Sequence, residues 1–389
     1  MKVAGLISGT SHDGIDVAVV DFAHTDGVLR GTVVYGDSVP YAPELRARLV
    51  AALPPQQTTI DEVCALDTLI GQAFADVAAG AADAAGGVDA VASHGQTVFH
   101  WVDGGHALGT LQIGQPAWIA ERVGAPVVSD IRVRDITVGG HGAPLVSYLD
   151  DLLLRGREGV AAALNLGGIS NITVVGSGLS AYDIGPANAL IDAVIVERQL
   201  NPLGYDDDAR IARSGVVDLG LLESLLADPY YALPAPKSTG KEHFHLAYVE
   251  RHLAALGRDV RPADLVATLT ELTVRTVADA VRRERVAFLA VSGGGCRNPL
   301  IMSGLRAALP GVEIVLTDDL GAPADTKEAI LVALIGWCTL HGVPAIVPGG
   351  TGAREPQILG TITPGRGPLR LPEPVGGVES LRLIDGTAR

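Results

Sequence analysis

Three glycine-rich turns mark the places where this chain can do chemistry. The first, Ser8-Gly9-Thr10-Ser11-His12-Asp13-Gly14, lies between two apolar runs; the second is Gly167-Gly168, and the third is Ser292-Gly293-Gly294-Gly295. Successive backbone N–H groups in such a turn make an anion-binding concavity, and glycine lets the backbone approach phosphate oxygens closely. Thr10 and Ser11 add hydroxyl donors, while Asp13 and Asp16 offer carboxylates to Mg²⁺, without which an anionic turn would repel phosphate. A single turn of this kind is equally a hairpin that uses glycine for positive φ. Three together point to nucleotide phosphates.

Asp183, in Ala181-Tyr182-Asp183-Ile184-Gly185-Pro186-Ala187-Asn188, follows a short strand-like run and precedes a helical one. A carboxylate there can take a proton from a sugar hydroxyl or from water, or it can cap backbone in an Asx-type turn. Glu328, in Asp325-Thr326-Lys327-Glu328, fits a capping box ahead of an apolar helix. His94 and His100 are six residues apart, which is not zinc-ligand helical spacing, so no metal site is read there. His94 is open to two readings, a donor to a ligand oxygen or a satisfied structural histidine. The polar stretch from Asp130-Ile131-Arg132 to Gly139-Gly140-His141-Gly142-Ala143-Pro144 is the strongest substrate-site candidate.

The elements that must hold these residues are legible from periodicity. Val3–Ser8 and Ile15–Phe22 read as strands, so the first turn is a hairpin. A Walker loop or a Rossmann fingerprint would have to open a helix, so neither applies. A helix is expected over 58–84, a short strand over Val88–Ala92 ending at Ser93-His94-Gly95-Gln96-Thr97, a helix near 115–123 and a strand over Pro126–Ser129, with a turn over Asp130–Asp135. Val160–Leu166 and Ile169–Val175 repeat the strand-turn-strand design, Val286–Val291 leads into the third turn, and a helix follows from Pro299. Residues 201–260 read as a helical insertion, and the tail beyond Gly360 as an irregular closing segment.

With 389 residues, the chain is long enough for two hydrophobic cores. The expected fold class is α/β, a two-lobed actin-like ATPase (ribonuclease H-like) fold with a nucleotide cleft between lobes at 1–155 and 156–389. The apolar content, 48% with few aromatics, suits buried strands under closely packed helices. A formal net charge of -15 and the lack of a basic stripe argue against nucleic-acid binding. The three cysteines, Cys64, Cys296 and Cys338, are scattered and odd in number, which fits a reducing compartment. No uninterrupted apolar run of membrane-spanning length appears, and the N-terminus lacks a signal-peptide pattern. A cytoplasmic protein without a membrane partner is expected, with a homodimer left open.

These segments, taken in order, resemble the anhydro-N-acetylmuramic acid kinase family of the sugar kinase, heat-shock ATPase and actin superfamily. The resemblance rests on Gly9-Thr10-Ser11-His12-Asp13-Gly14-Ile15-Asp16, Ser93-His94-Gly95-Gln96-Thr97, the Asp130–Arg132 and Gly139–Leu145 stretches, and Asn165-Leu166-Gly167-Gly168-Ile169-Ser170-Asn171. It continues through Asp183–Asn188, Lys237-Ser238-Thr239-Gly240-Lys241-Glu242, Ser292–Gly295 with Asn298-Pro299, and Lys327-Glu328-Ala329. It implies an enzyme that opens the 1,6-anhydro ring of anhydro-N-acetylmuramic acid with water and moves the ATP γ-phosphate to O6. The product would be N-acetylmuramic acid 6-phosphate, within cell-wall recycling, with Mg²⁺ as cofactor and the anhydrosugar and ATP as small-molecule partners.

In that reading Asp183 deprotonates the attacking water. ATP would be bound by Gly9, Thr10, Ser11, His12, Asp13, Gly14, Ile15, Asp16, Gly167, Gly168, Ser170, Asn171, Gly293, Gly294, Gly295 and Asn298, with Asp13 and Asp16 on the metal. His94, Thr97, Asp130, Arg132, His141 and Glu328 would contact the sugar. Arg132 suits the lactyl carboxylate, which a guanidinium grips with two parallel bonds. The chain departs from the family pattern at His12, His141 and Ile184, where leucine, glutamine and threonine are usual, and Pro348–Ala353 matches only in part. A kinase for another anhydrosugar such as levoglucosan is the nearest alternative, and a non-catalytic nucleotide-switched module the more distant one.

Overall fold

The computed structural model describes residues 1–347 and 349–387. It divides into two compact units, Met1–Arg155 with Asp318–Arg389, and Gly156–Thr317. Residues 318–389, assigned from the sequence to the second lobe, thus belong with the first unit.

Along the chain, the first unit begins with β1 (Lys2–Ser8), β2 (Gly14–Thr25) and β3 (Val28–Pro40), then α1 (Pro43–Ala51), α2 (Ile60–Ala84), β4 (Ala90–Asp103) and β5 (His106–Ile113). It continues with α3 (Pro116–Val123), β6 (Val127–Ser129), α4 (Val133–Thr137) and α5 (Val146–Leu154). The second unit holds β7 (Val160–Leu166), β8 (Ile169–Val175), β9 (Leu179–Pro186), α6 (Asn188–Glu197), α7 (Arg210–Arg213), α8 (Leu219–Leu226), α9 (Leu246–Leu256), α10 (Pro262–Arg283), β10 (Val286–Ser292), α11 (Pro299–Ala308) and β11 (Glu313–Leu316). The first unit is completed by α12 (Lys327–Leu340), β12 (Thr361–Thr363) and β13 (Ser380–Asp385).

The two sheets share one wiring. In the first unit the order β3-β2-β1-β4-β6 runs through antiparallel β2–β3 and β1–β2 pairs into parallel β1–β4 and β4–β6 pairs. In the second, β9-β8-β7-β10-β11 repeats the pattern: antiparallel β8–β9 and β7–β8, then parallel β7–β10 and β10–β11. This order is ribonuclease H-like, and its presence in each unit is the duplicated design of the actin-like ATPase class.

Each sheet is covered by apolar helices. In the first unit α2 turns Leu66, Ile70 and Phe74 inward at helical spacing. That helix is long and apolar enough by length and composition to cross a membrane, but this face lies in a core with Ala4, Leu6 and Val91 of the sheet. On another face, α12 is buried along nearly its whole length. Its approach depends on Gly5, where a Cβ would collide with the Ala329 carbonyl, and on Gly336, where one would meet the Ala92 Cβ at 2.5 Å. These close contacts draw the segment after residue 317 into the first unit. Each buried Leu or Ile there contributes about 1.5–3 kcal/mol. In the second unit α10 packs Leu265, Leu269, Leu272 and Val281 into a core with Leu164, Ile172 and Leu289.

Several local expectations are corrected. β4 does not stop near Ala92 but runs on to Asp103 and pairs with β5, so Ser93–Thr97 lies within a strand. Asp183 likewise stands inside β9 rather than after it. The Asp130–Asp135 stretch leads into the short helix α4. The tail is not wholly irregular, because β13 pairs parallel to β3 and β12 antiparallel to β6. The N-cap of α12 is Thr326, which makes no side-chain capping bond, so the helix starts one residue later than a box capped by Asp325 would have it. In the Pro348–Ala353 stretch, Pro348 lies outside the described residues.

Candidate active site

The first hairpin is held from beneath by Gln96 of β4. The Ser8 hydroxyl lies 2.7 Å from both the Gly14 carbonyl and Gln96 Oε1, and Gln96 Nε2 donates to the Gly9 carbonyl at 3.2 Å. The turn tightens where His12, at φ 53°, donates its N–H to the Gly9 carbonyl. Ser11 Oγ donates to Asp13 Oδ1 at 2.7 Å, and Thr10 and Asp13 are exposed at the tip. The His12 imidazole is held below its usual value by burial, partly offset by a bond with Thr97 backbone. Its side chain therefore links the Ser8–Gly14 turn to β4.

Asp16 and Glu328 share a negative environment. Burial raises the Asp16 carboxyl above the usual range despite a bond from Ser38, and the charges of Asp13 and Asp325 add to the rise. Glu328 meets solvent, yet desolvation by the surrounding protein and the Asp16 charge push its carboxyl up as well. Its neighbour Lys327 is buried in a 2.6 Å ion pair with Asp150 of α5, which anchors the first turn of α12. Among the described residues no group of three or more His, Cys, Asp or Glu forms a metal cage. Mg²⁺ typically needs only one or two carboxylates together with phosphate and water, and Asp16, raised by burial with the Asp13 charge nearby, offers carboxylate oxygens that fit it.

The remaining first-unit candidates fall into two connected groups. His94 and Asp130 line a cavity of about 550 Å³ together with Ser93, Asp67 and Val133. The His94 Nδ1–H donates to the Gly95 carbonyl at 3.0 Å, and desolvation with nearby Arg132 pushes its pKa down to about 4, so the ring is neutral near pH 7. Asp130 stands at φ 53°, and burial raises its carboxyl. Among the described residues the buried Ser93 hydroxyl has no hydrogen-bond partner.

Thr97 and Arg132 form the second group. Arg132 Nη1 donates to Thr97 Oγ1 at 3.2 Å, and Arg132 Nε donates to the Gly142 carbonyl at 2.8 Å. The Gly139–Gly142 loop is organised by Asp135, which is wholly buried and accepts from Gly142 N and from Thr351 Oγ1, each at 2.6 Å. His141 donates its backbone N–H to the Thr351 carbonyl. Sequence reasoning missed Asp135 and Thr351, which are far apart in the chain. It also set His100 aside, although this imidazole lies near Arg132 and His141 and is lowered by burial and by both charges.

In the second unit the two glycine turns lie side by side. At Gly293, with φ 87°, a Cβ would meet Asn165 Oδ1 at 2.5 Å and Leu166 backbone at 2.8 Å, so only glycine fits. Gly167 and Gly168 carbonyls accept from Asn188, Ala187 and Ala189 N–H groups, which ties the second turn to the start of α6. Ser170 Oγ donates to the Gly185 carbonyl at 2.9 Å, and Asn171 pairs with Asp183 across β8 and β9. Asn298 caps α11, its Oδ1 accepting from Leu300 and Ile301 N–H groups. Asp192 of α6, unremarked in the sequence, is pushed up to about 6 by burial, opposed by the charge of Lys241.

Asp183 is fixed within the second unit. Its Oδ2 accepts from Ser238 Oγ at 2.9 Å and from Thr239 N at 3.0 Å, and burial outweighs these bonds and raises the carboxyl above the usual range. Such a carboxylate is a stronger base than a solvated one and suits proton abstraction.

A family model described as anhydro-N-acetylmuramic acid kinase matches residues 1–365. Proteins named anhydro-N-acetylmuramic acid kinase are similar over nearly the full chain. One from Streptomyces coelicolor is 52% identical, covering 99% of this chain and 100% of its own. One from Streptomyces avermitilis is 51% identical with the same coverages. One from Rhodococcus erythropolis is 48% identical, covering 98% and 99%.

Proposed function

The chain belongs to the anhydro-N-acetylmuramic acid kinase family, and from that premise we propose that it opens the 1,6-anhydro ring of anhydro-N-acetylmuramic acid with water and transfers the γ-phosphate of ATP to O6. The products are N-acetylmuramic acid 6-phosphate and ADP, and the reaction serves cell-wall recycling. With ATP as co-substrate, the reading sets it in the cytoplasm. The observation that carries the reading is Asp183, a partly buried carboxylate of raised basicity held by two donors on one oxygen.

Asp183 takes one proton from water while the water oxygen bonds to C1 and the C1–O6 bond breaks. The second water proton stays on the new anomeric hydroxyl. The O6 so released attacks the γ-phosphorus, the bond to the β-phosphate bridging oxygen breaks, and ADP leaves. Asp183 then gives its proton to solvent.

Backbone N–H groups of the Gly9–Gly14, Gly167-Gly168 and Gly293–Gly295 turns hold the phosphates and receive charge as it develops. Asp13 and Asp16 would hold Mg²⁺, directly or through water, and the ion would supply positive charge beside the phosphates. Thr97, Asp130, Arg132, His141 and Glu328 orient the sugar, with the Arg132 guanidinium on the lactyl carboxylate and neutral His94 in the cavity wall. Asn298 acts through the position of α11.

Phosphorylation of anhydro-N-acetylmuramic acid and of levoglucosan, followed by ADP release at matched concentrations, tests the substrate. Turnover of the muramic sugar is expected; turnover of levoglucosan alone would refute the assignment. Asp183→Asn should abolish transfer while nucleotide affinity stays within about twofold, since the variant keeps the shape and loses the base.

A further inference from the structure

The Lys237–Thr239 segment touches Asp183 on both backbone and side chain. Asp183 donates its N–H to the Lys237 carbonyl at 3.0 Å, and its own carbonyl accepts from the Tyr230 hydroxyl at 2.7 Å. Lys237 closes the ring, because its Nζ donates to the Tyr230 carbonyl at 3.0 Å and sits 4.4 Å over the Tyr230 ring. Tyr230 is itself fixed by Asp228, whose Oδ1 accepts from the Tyr230 N–H at 2.8 Å. Three residues thus hold one another and fix the backbone of β9 at Asp183.

The side chain is oriented by a different pair. Ser238 Oγ and Thr239 N both converge on Oδ2, and among the described residues Oδ1 takes no hydrogen bond. With no second donor to share, the carboxylate cannot rotate about its Cβ–Cγ bond without breaking both bonds. We propose that Ser238 is a positioning residue for the reaction: it occupies Oδ2 of Asp183 and so leaves Oδ1 as the oxygen that receives the proton. The proposal rests on the functional reading above for the identity of the proton donor, but the Ser238–Asp183 relation is measurable without turnover.

Hydrogen bonds to the charged form favour that form, so Ser238 also tempers the rise that burial imposes on Asp183. Removing the hydroxyl moves Asp183 further up. Ser238→Ala, Ser238→Thr and Asp183→Asn test the idea with two readouts.

In the first readout, carboxyl carbons of ¹³C-labelled aspartate are titrated by NMR, and the Asp183 signal is assigned by its loss in Asp183→Asn. Ser238→Ala should shift this midpoint to higher pH and Ser238→Thr should return it toward wild type. An unmoved midpoint in Ser238→Ala would overturn the proposal whether or not any sugar is turned over. In the second, with whichever anhydrosugar the wild type accepts, Ser238→Ala should lower kcat about tenfold with KM for both substrates nearly constant. The acid limb of its pH profile should move up, and the threonine variant should recover most of the rate. A rise in KM with unchanged kcat, or no rescue by threonine, would show a merely structural contact.

Discussion

Thr351 donates its hydroxyl to the fully buried carboxylate of Asp135 at 2.6 Å, across 216 residues of sequence. The same carboxylate takes the Gly142 N–H, and the Gly142 carbonyl in turn takes Arg132 Nε. One buried acid thereby connects a C-terminal loop to the guanidinium assigned to the sugar. Its surroundings are tight, since a Cβ on Gly140 would overlap the Asp135 carboxylate.

Replacing Thr351 with valine should therefore cost about 1.5–3 kcal/mol, the usual worth of a hydrogen bond to a charged group. Because the chain of contacts ends on Arg132, the KM for the sugar should rise while that for ATP stays near wild type. Chemical denaturation and steady-state kinetics on the same preparation check both outcomes.

His94 makes a pH-dependent contribution of definite sign. Its folded pKa is about 4, below the ordinary 6.5. Between these values the unfolded chain binds a proton that the folded chain does not, so this residue's contribution is present above pH 6.5 and is lost as pH falls toward 4. His94→Gln should flatten that part of the curve of urea midpoint against pH. An unchanged slope would show that the imidazole is not held neutral.

The carboxylates at the first turn predict a competition between protons and metal. Asp16 titrates above its usual range, so acidification removes its charge early and Mg²⁺ affinity in the presence of nucleotide should weaken as pH falls toward that range. Asp16→Asn should weaken binding by about tenfold, the order expected for losing one charged ligand or its outer-sphere partner. Titration of Mn²⁺ by electron paramagnetic resonance reads this without turnover.

How much of this was legible in the sequence differs by element. The hairpin strands β1 and β2, the β7–β8 pair and α2 are local patterns, and their apolar periods place them to within a few residues. The glycine turns were visible because backbone approach demands the residue, as Gly293 against Leu166 illustrates. β4 was cut short because Ser93–Thr97 looks like a turn by polarity, while its partner β5 supplies the hydrogen bonds that keep it extended. The placement of 318–389 depends on Gly5 and Gly336 admitting α12 to the first sheet, a contact without a local signature. Asp135 was missed for the same reason: its partners Gly142 and Thr351 converge only in three dimensions. Glu328 read as a cap because spacing alone carries no sign of the Asp16 charge that acts on it in the fold.

In the proposed reaction water opens the sugar ring and O6, not water, takes the phosphoryl group. Incubation with ATP, Mg²⁺ and anhydro-N-acetylmuramic acid in oxygen-18 water, followed by mass spectrometry of the products, tests it most directly. One heavy oxygen on the anomeric carbon and none on the phosphoryl group are expected. Heavy oxygen in released phosphate with the anhydro ring intact, or a phosphorylated sugar without label at C1, would contradict it.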